Sequence, residues 1–106
     1  MRLLLDESVP AGLRRHLPGH VVSTVGEKGW NGLKNGLLLA QAATSFDAFI
    51  TVDKNLPYQQ NLKTLPIAVV ILDTNSNELT ALLPIIPKLT QILSSLQPRA
   101  AVRVSA

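Results

Sequence analysis

At 106 residues, with ten Lys and Arg against seven Asp and Glu, the chain has room for one core and carries a formal charge of +3. It has no cysteine, which excludes a disulfide framework and a thiolate metal site. Only four residues are aromatic (Trp30, Phe46, Phe49 and Tyr58), so a base-stacking platform is poorly supplied, although the mild positive charge is compatible with nucleic acid.

Arg2-Leu3-Leu4-Leu5 is an apolar run that stops at Asp6-Glu7. It is far too short for a signal peptide or a membrane span, and the cytoplasm is the expected compartment. Ser8 can cap a helix that accepts Pro10 in its first turn and places Leu13 and Leu17 on one face, with Arg14, Arg15 and His16 on the others. Pro18-Gly19 ends that helix, and the β-branched run 20–25 predicts a second strand. A polar, glycine-spaced loop from Gly26 to Gly36 contains Trp30. Asn35 is then a candidate cap for a helix with Leu39, Ala42, Ala43 and Phe46 on one face.

Residues 48–52 predict a third strand ending at Asp53, and Asn55 to Leu62 a short helix or turn around Pro57. Residues 67–72 are apolar without alternation, the pattern of a strand buried on both faces, and Asp73 follows at once. After the capping run Asn75-Ser76-Asn77, apolar residues recur from Leu79 to Leu96 with helical spacing, interrupted by Pro84 and Pro87. A broken pair of helices is expected there. Leu83, Ile85 and Ile92 widen the apolar stripe beyond one face, which predicts burial on more than one side and self-association, as a homodimer or larger homo-oligomer. Residues 99–106 read as a short basic tail outside a domain of residues 1–98. The alternation of strands and helices implies a parallel four-stranded sheet with helices on both faces.

Five of the seven carboxylates directly follow a predicted strand: Asp6 and Glu7, Glu27, Asp53, and Asp73. A parallel sheet brings all of these to one edge, where open α/β sheets bind ligands. Gathered acids repel one another unless a cation or proton neutralises them, and oxygen ligands select Mg²⁺ or Mn²⁺. Loop and capping roles account well for Glu27 and Asp73. Asp6 and Asp53 each follow an apolar strand expected to be central and are the leading functional candidates, with Glu7 beside them. Lys34 and Lys54 flank the acidic edge and could hold phosphates; solvation explains them equally well. Trp30 could contact a substrate or lid a core.

Leu-Leu-Leu-Asp6-Glu7, the loop Gly29-Trp30-Asn31-Gly32-Leu33-Lys34-Asn35-Gly36, and Ile50-Thr51-Val52-Asp53-Lys54-Asn55-Leu56 together resemble an uncharacterised branch of the PIN-like domains. The similarity spans most of residues 1–72, and Thr51-x-Asp53 is its most specific element. It implies a three-layer α/β sandwich with a four-stranded, mainly parallel sheet. The implied activity is that of an Mg²⁺- or Mn²⁺-dependent endoribonuclease, in many members a VapC-type toxin paired with an antitoxin protein. Asp6 and Asp53 would be the metal ligands, Glu7 a further catalytic acid, and Thr51, Asn55 and Asn35 supports. Lys34, Lys54 and Trp30 would contact RNA. Such chains carry a Glu early in the helix after the second strand, near Asn35-Gly36-Leu37. Here Leu37 cannot bind a metal, which keeps open a second reading, a PIN-like fold acting as a binding or regulatory module. A third reading resembles a phosphate-accepting receiver domain, with Asp6-Glu7 and Asp53 as the acidic pocket. It requires a Lys after a fifth strand.

Overall fold

The computed structural model describes residues 1–56, 60–61 and 63–106. Five strands, β1 (Arg2–Leu5), β2 (Val21–Thr24), β3 (Ala48–Thr51), β4 (Ala68–Leu72) and β5 (Ala101–Val104), form one all-parallel sheet in the order β2-β1-β3-β4-β5. The three middle strands are apolar except for the exposed Arg2 at the start of β1 and the buried Thr51 at the end of β3, because helices and loops cover both of their faces. Strand alternation divides the core in two. On the first face Leu3, Leu5, Ile50 and Val70 meet Val9 and Leu13 from the β1–β2 connection and Leu82 and Leu89 from the β4–β5 connection. On the second, Leu4, Phe49 and Val69 meet Leu38, Leu39 and Ala42 of α1 (Asn35–Ala42), together with Leu56 and Leu65.

The sheet has five strands where four were expected, and the fifth comes from the stretch assigned to a basic tail. As an edge strand, β5 needs only one apolar side. Val102 and Val104 face the first core, while Ala101 and Arg103 are exposed. Two valines among eight otherwise small or polar residues are a weak strand signal.

Crossovers of uniform hand would put the β4–β5 helices on the α1 face, because β5 extends the sheet in the same direction as β3 and β4. They lie instead on the opposite face, so the last crossover has the reverse hand of the other three. This connection consists of α2 (Leu79–Leu82), a 3-10 turn (Leu83–Ile85) and α3 (Ile86–Ser95). The break falls at Pro84 and Pro87, as their missing amide donors require. Leu82, Ile85, Leu89 and Leu93 are buried on the chain's own sheet, with Leu79, Ile86, Ile92 and Leu96 packed around them. The wide stripe that predicted self-association is thus largely consumed within the molecule, leaving Leu83 exposed.

The segment after β1 also departs from expectation. Instead of an α-helix capped by Ser8, it is a 3-10 helix, Ala11–His16, that begins after Pro10 with no side-chain cap. Leu13 and Leu17 are buried as predicted. Gly12 permits close packing against α2, since a Cβ there would stand 3.1 Å from Leu79 Cδ2. Asn35 is the first residue of α1 and Lys34 its cap position. The helix or turn expected around Pro57 falls partly on residues 57–59 and 62, outside the described residues. No helix among the described residues is long and apolar enough to cross a membrane.

Candidate active site

The chain reverses direction across the sheet after β2: β2 lies to one side of β1, and β3 to the other. The carboxyl ends of β1 and β3 therefore flank the switch point, the place where an open parallel sheet forms its ligand crevice. Asp6 and Thr51 stand at those two ends. The Asp6 amide donates to Ile50 O at 2.9 Å, carrying the β1–β3 ladder one step past β1.

Thr51 is wholly buried, the one buried polar side chain among the described residues. A hydroxyl enclosed in this way must make its hydrogen bonds to protein groups, and this one makes two. It donates to Asp6 Oδ2 at 2.7 Å and accepts from the Asp53 amide at 3.0 Å. One hydroxyl thus ties the first acid to the backbone of the second. Asp6 also accepts from the Ser8 hydroxyl at Oδ2 and from the Glu7 amide at Oδ1, each at 2.9 Å. Asp53 Oδ1 accepts from the Asn55 amide at 2.9 Å, a local turn that orients its carboxylate. Every one of these donors is uncharged. Among the described residues neither Asp6 nor Asp53 forms an ion pair.

The outer acids of the same edge are held differently. Asp73, after β4, contacts Lys54 Nζ at 3.1 Å through Oδ1 and Arg103 Nε at 3.2 Å through Oδ2. Glu27, after β2, pairs with Arg14 and accepts from the Thr24 amide at 2.9 Å. Chiefly the Arg14 guanidinium, and then the Thr24 amide, hold the Glu27 carboxyl below the usual carboxylate range.

The remaining candidates are dispersed. Glu7 is exposed and lines, with Asp6, Thr24, Gly26 and Asn31, a crevice of about 410 Å³. Asp53 is not part of that crevice's wall. Lys54 is turned to Asp73, and Lys34 is exposed at the start of α1. Asn35 is half-buried, while Leu37 is 66% exposed in the first turn of α1. Trp30 packs edge-on against Phe46, with ring centroids 6.2 Å apart, and lids the second core. Among the described residues no three His, Cys, Asp or Glu side chains are placed to hold a metal together.

Sequence reasoning missed the use of Ser8, whose position two residues after Asp6 was read as a helix cap. It also missed Arg103 as a partner of Asp73, since β5 itself was not expected. The fifth strand satisfies one requirement of the receiver-like reading.

Compared with known protein families, curated proteins and solved structures, the chain matches none.

Proposed function

We propose that the chain is a metal-dependent ribonuclease of PIN-like type, acting in the cytoplasm at the switch point where the carboxyl ends of β1 and β3 carry Asp6 and Asp53. The observation that carries this reading is the contrast in charge compensation. Asp73 and Glu27 have cationic partners, whereas Asp6 and Asp53, joined through Thr51, are held only by neutral donors. Two carboxylates whose charge is left uncompensated are suited to a divalent cation, and their oxygens suit Mg²⁺ or Mn²⁺.

The residues fit such an ion in kind, though with only two charges. Asp6 already accepts three hydrogen bonds, and Asp53 accepts one at Oδ1, so both retain lone pairs for a ligand. A bound divalent cation would supply Lewis-acid charge against a phosphate oxygen. Thr51 fixes the Asp6 carboxylate, Ser8 restricts its rotation, and Asn55 orients Asp53. Glu7, exposed on the same rim, can take a proton from an attacking water. If the role is that of a toxin, an antitoxin protein is the expected partner.

The second reading is a PIN-like binding or regulatory module with impaired catalysis. It is favoured by Leu37 where the resemblance implies an acid, and by Asp73 being turned to Lys54 and Arg103. RNA turnover decides between them. The ribonuclease reading expects slow cleavage that is faster in Mn²⁺ than in Mg²⁺, because Mg²⁺ demands a near-ideal octahedron. Asp53→Asn should lower it by at least the roughly 10–100-fold that losing a mere outer partner of a metal ligand costs. Cleavage that survives Asp53→Asn would place the active site elsewhere; none in the wild type would favour the binding module.

A further inference from the structure

The loop between β2 and α1 contains a β-turn. The Leu33 amide donates to Trp30 O at 3.2 Å, so Asn31 and Gly32 are the central pair of the turn. Gly32 has φ +85°, the conformation that the later central position of a type II turn requires and that glycine takes without strain. Trp30, packed on Phe46, anchors one corner. Beyond that corner the turn is open. Asn31 and Gly32 are exposed, and a Cβ added to Gly32 would meet nothing within 4 Å. Neither the Asn31 carboxamide nor the Gly32 amide forms a hydrogen bond among the described residues.

Asparagine followed by glycine is chemically labile in such a place. Once base removes its proton, the Gly32 nitrogen can attack Cγ of the Asn31 carboxamide. A bond forms between that carbon and Gly32 N, the bond to Nδ2 breaks, and ammonia leaves. Water then opens the cyclic imide at either carbonyl. Opening at Cγ leaves aspartate; opening at the main-chain carbon leaves isoaspartate, whose backbone runs through the former side chain. Both products carry a carboxylate where a neutral amide stood. Closure needs a peptide plane that is free to turn, and a glycine beyond it adds no side chain to obstruct it. A second Asn-Gly pair, Asn35-Gly36, provides an internal control. Those residues begin α1, and Asn35 is half-buried. Ring closure there would have to unwind the first helical turn, which the buried Leu38 and Leu39 hold to the core.

We infer that Asn31 is a site of spontaneous deamidation, and that its product adds a carboxylate to the crevice wall that Asp6 and Glu7 already line. Asn31 lines that crevice with both acids. Its Nδ2 stands 3.6 Å from where a Cβ on Gly26 would lie, so the new charge arises against the Gly26 side of the crevice. The modification follows from the turn alone. Its effect on cation binding rests on the metal reading of the site. A charge added near a divalent cation strengthens binding by roughly two- to fivefold through water, and by less at high salt.

The test is to incubate the whole chain in mildly alkaline buffer, digest it with trypsin and follow the masses of two peptides. Cleavage after Lys28, Lys34 and Lys54 puts Asn31 in peptide 29–34 and Asn35 in peptide 35–54. Peptide 29–34 should gain the mass of OH replacing NH₂ over days, faster as pH rises, with fragmentation showing both aspartate and isoaspartate. Asn35 should lag about tenfold or more in the folded chain, because it reacts only when the helix end opens, and should catch up in urea. Equal rates in the folded chain, a lag that persists in urea, or no gain at Asn31 would overturn the inference. Calorimetric titration of Mn²⁺ then compares the fresh chain with Asn31→Asp. Tightening of roughly two- to fivefold that shrinks with added salt is expected. Unchanged affinity would overturn the effect of the new charge on the crevice. No Mn²⁺ binding by either chain would refute the metal reading and leave the modification standing on the masses.

Discussion

Two regions of one sheet edge treat the same functional group in opposite ways. Past β4, the Asp73 carboxylate lies between Lys54 and Arg103 and binds the loop after β3 to the edge strand β5. Past β1 and β3, Asp6 and Asp53 are joined through a buried threonine and meet no cation among the described residues. The first arrangement uses charge up within the protein; the second keeps it available. A cluster of acids says little by itself, since both kinds follow a strand. What separates them is whether the neighbours are cations or neutral dipoles.

Removing the hydroxyl that joins the central pair should produce the largest effect on stability. In Thr51→Val the Asp53 amide loses its acceptor and Asp6 Oδ2 one of its two donors, at full burial of the substituted side chain. Leaving such a group unsatisfied costs about 1–3 kcal/mol. Urea unfolding should show this loss, and Mn²⁺ affinity should fall about 10–100-fold, as for other residues that orient metal ligands. A stability loss with Mn²⁺ affinity unchanged would reduce Thr51 to a packing residue.

Adding an acid sharpens the comparison from the other side. Leu37 is exposed in the first turn of α1, at the end of the helix that starts from the carboxyl edge. Leu37→Glu should leave stability within about 0.5 kcal/mol, as is usual for an exposed site. Because affinity for hard cations follows the number of charged ligands, Mn²⁺ binding should tighten roughly tenfold, with cleavage rising in step. An unchanged titration would mean that this position does not reach the site.

The smallest effect belongs to the β2 flank. The folded-state pKa of Glu27 is depressed below 4.5 by Arg14 and the Thr24 amide. A depressed carboxylate stabilises the fold above its unfolded pKa, and that contribution disappears as pH falls through the folded value. The wild type should therefore melt slightly above Glu27→Gln at neutral pH, and the gap should close below about pH 4.5. A gap that widens on acidification would show that the carboxyl is not held by its cation.

Much of the fold could be read from the chain because burial leaves a strong pattern. Residues 67–72 have no polar position, and the strand there is covered on both faces. The prolines at 84 and 87 located the break in the last helical segment. The strand 101–104 escaped notice because an edge needs only two inward valines. Ser8 was misjudged for a different reason: a serine after a strand can serve a helix amide or a neighbouring carboxylate, and only the position of Asp6 decides. Trp30 in a glycine-rich loop was equally open until Phe46 was placed beneath it. The alignment of acids at one edge followed from strand exits alone. Their division into paired and unpaired sets did not, because Lys54, Arg103 and Arg14 reach their partners through tertiary contacts.

The central claim is that Asp6 and Asp53 hold charge in reserve for a cation, while Asp73 does not. Calorimetric titration of Mn²⁺ into the wild type, Asp53→Asn and Asp73→Asn tests it most directly. The account predicts a single weak site in the wild type, lost in Asp53→Asn and retained within about threefold in Asp73→Asn, whose exposed ion pairs contribute only about 0–1 kcal/mol to the fold. Equal loss in the two variants, or binding that survives Asp53→Asn, would contradict it.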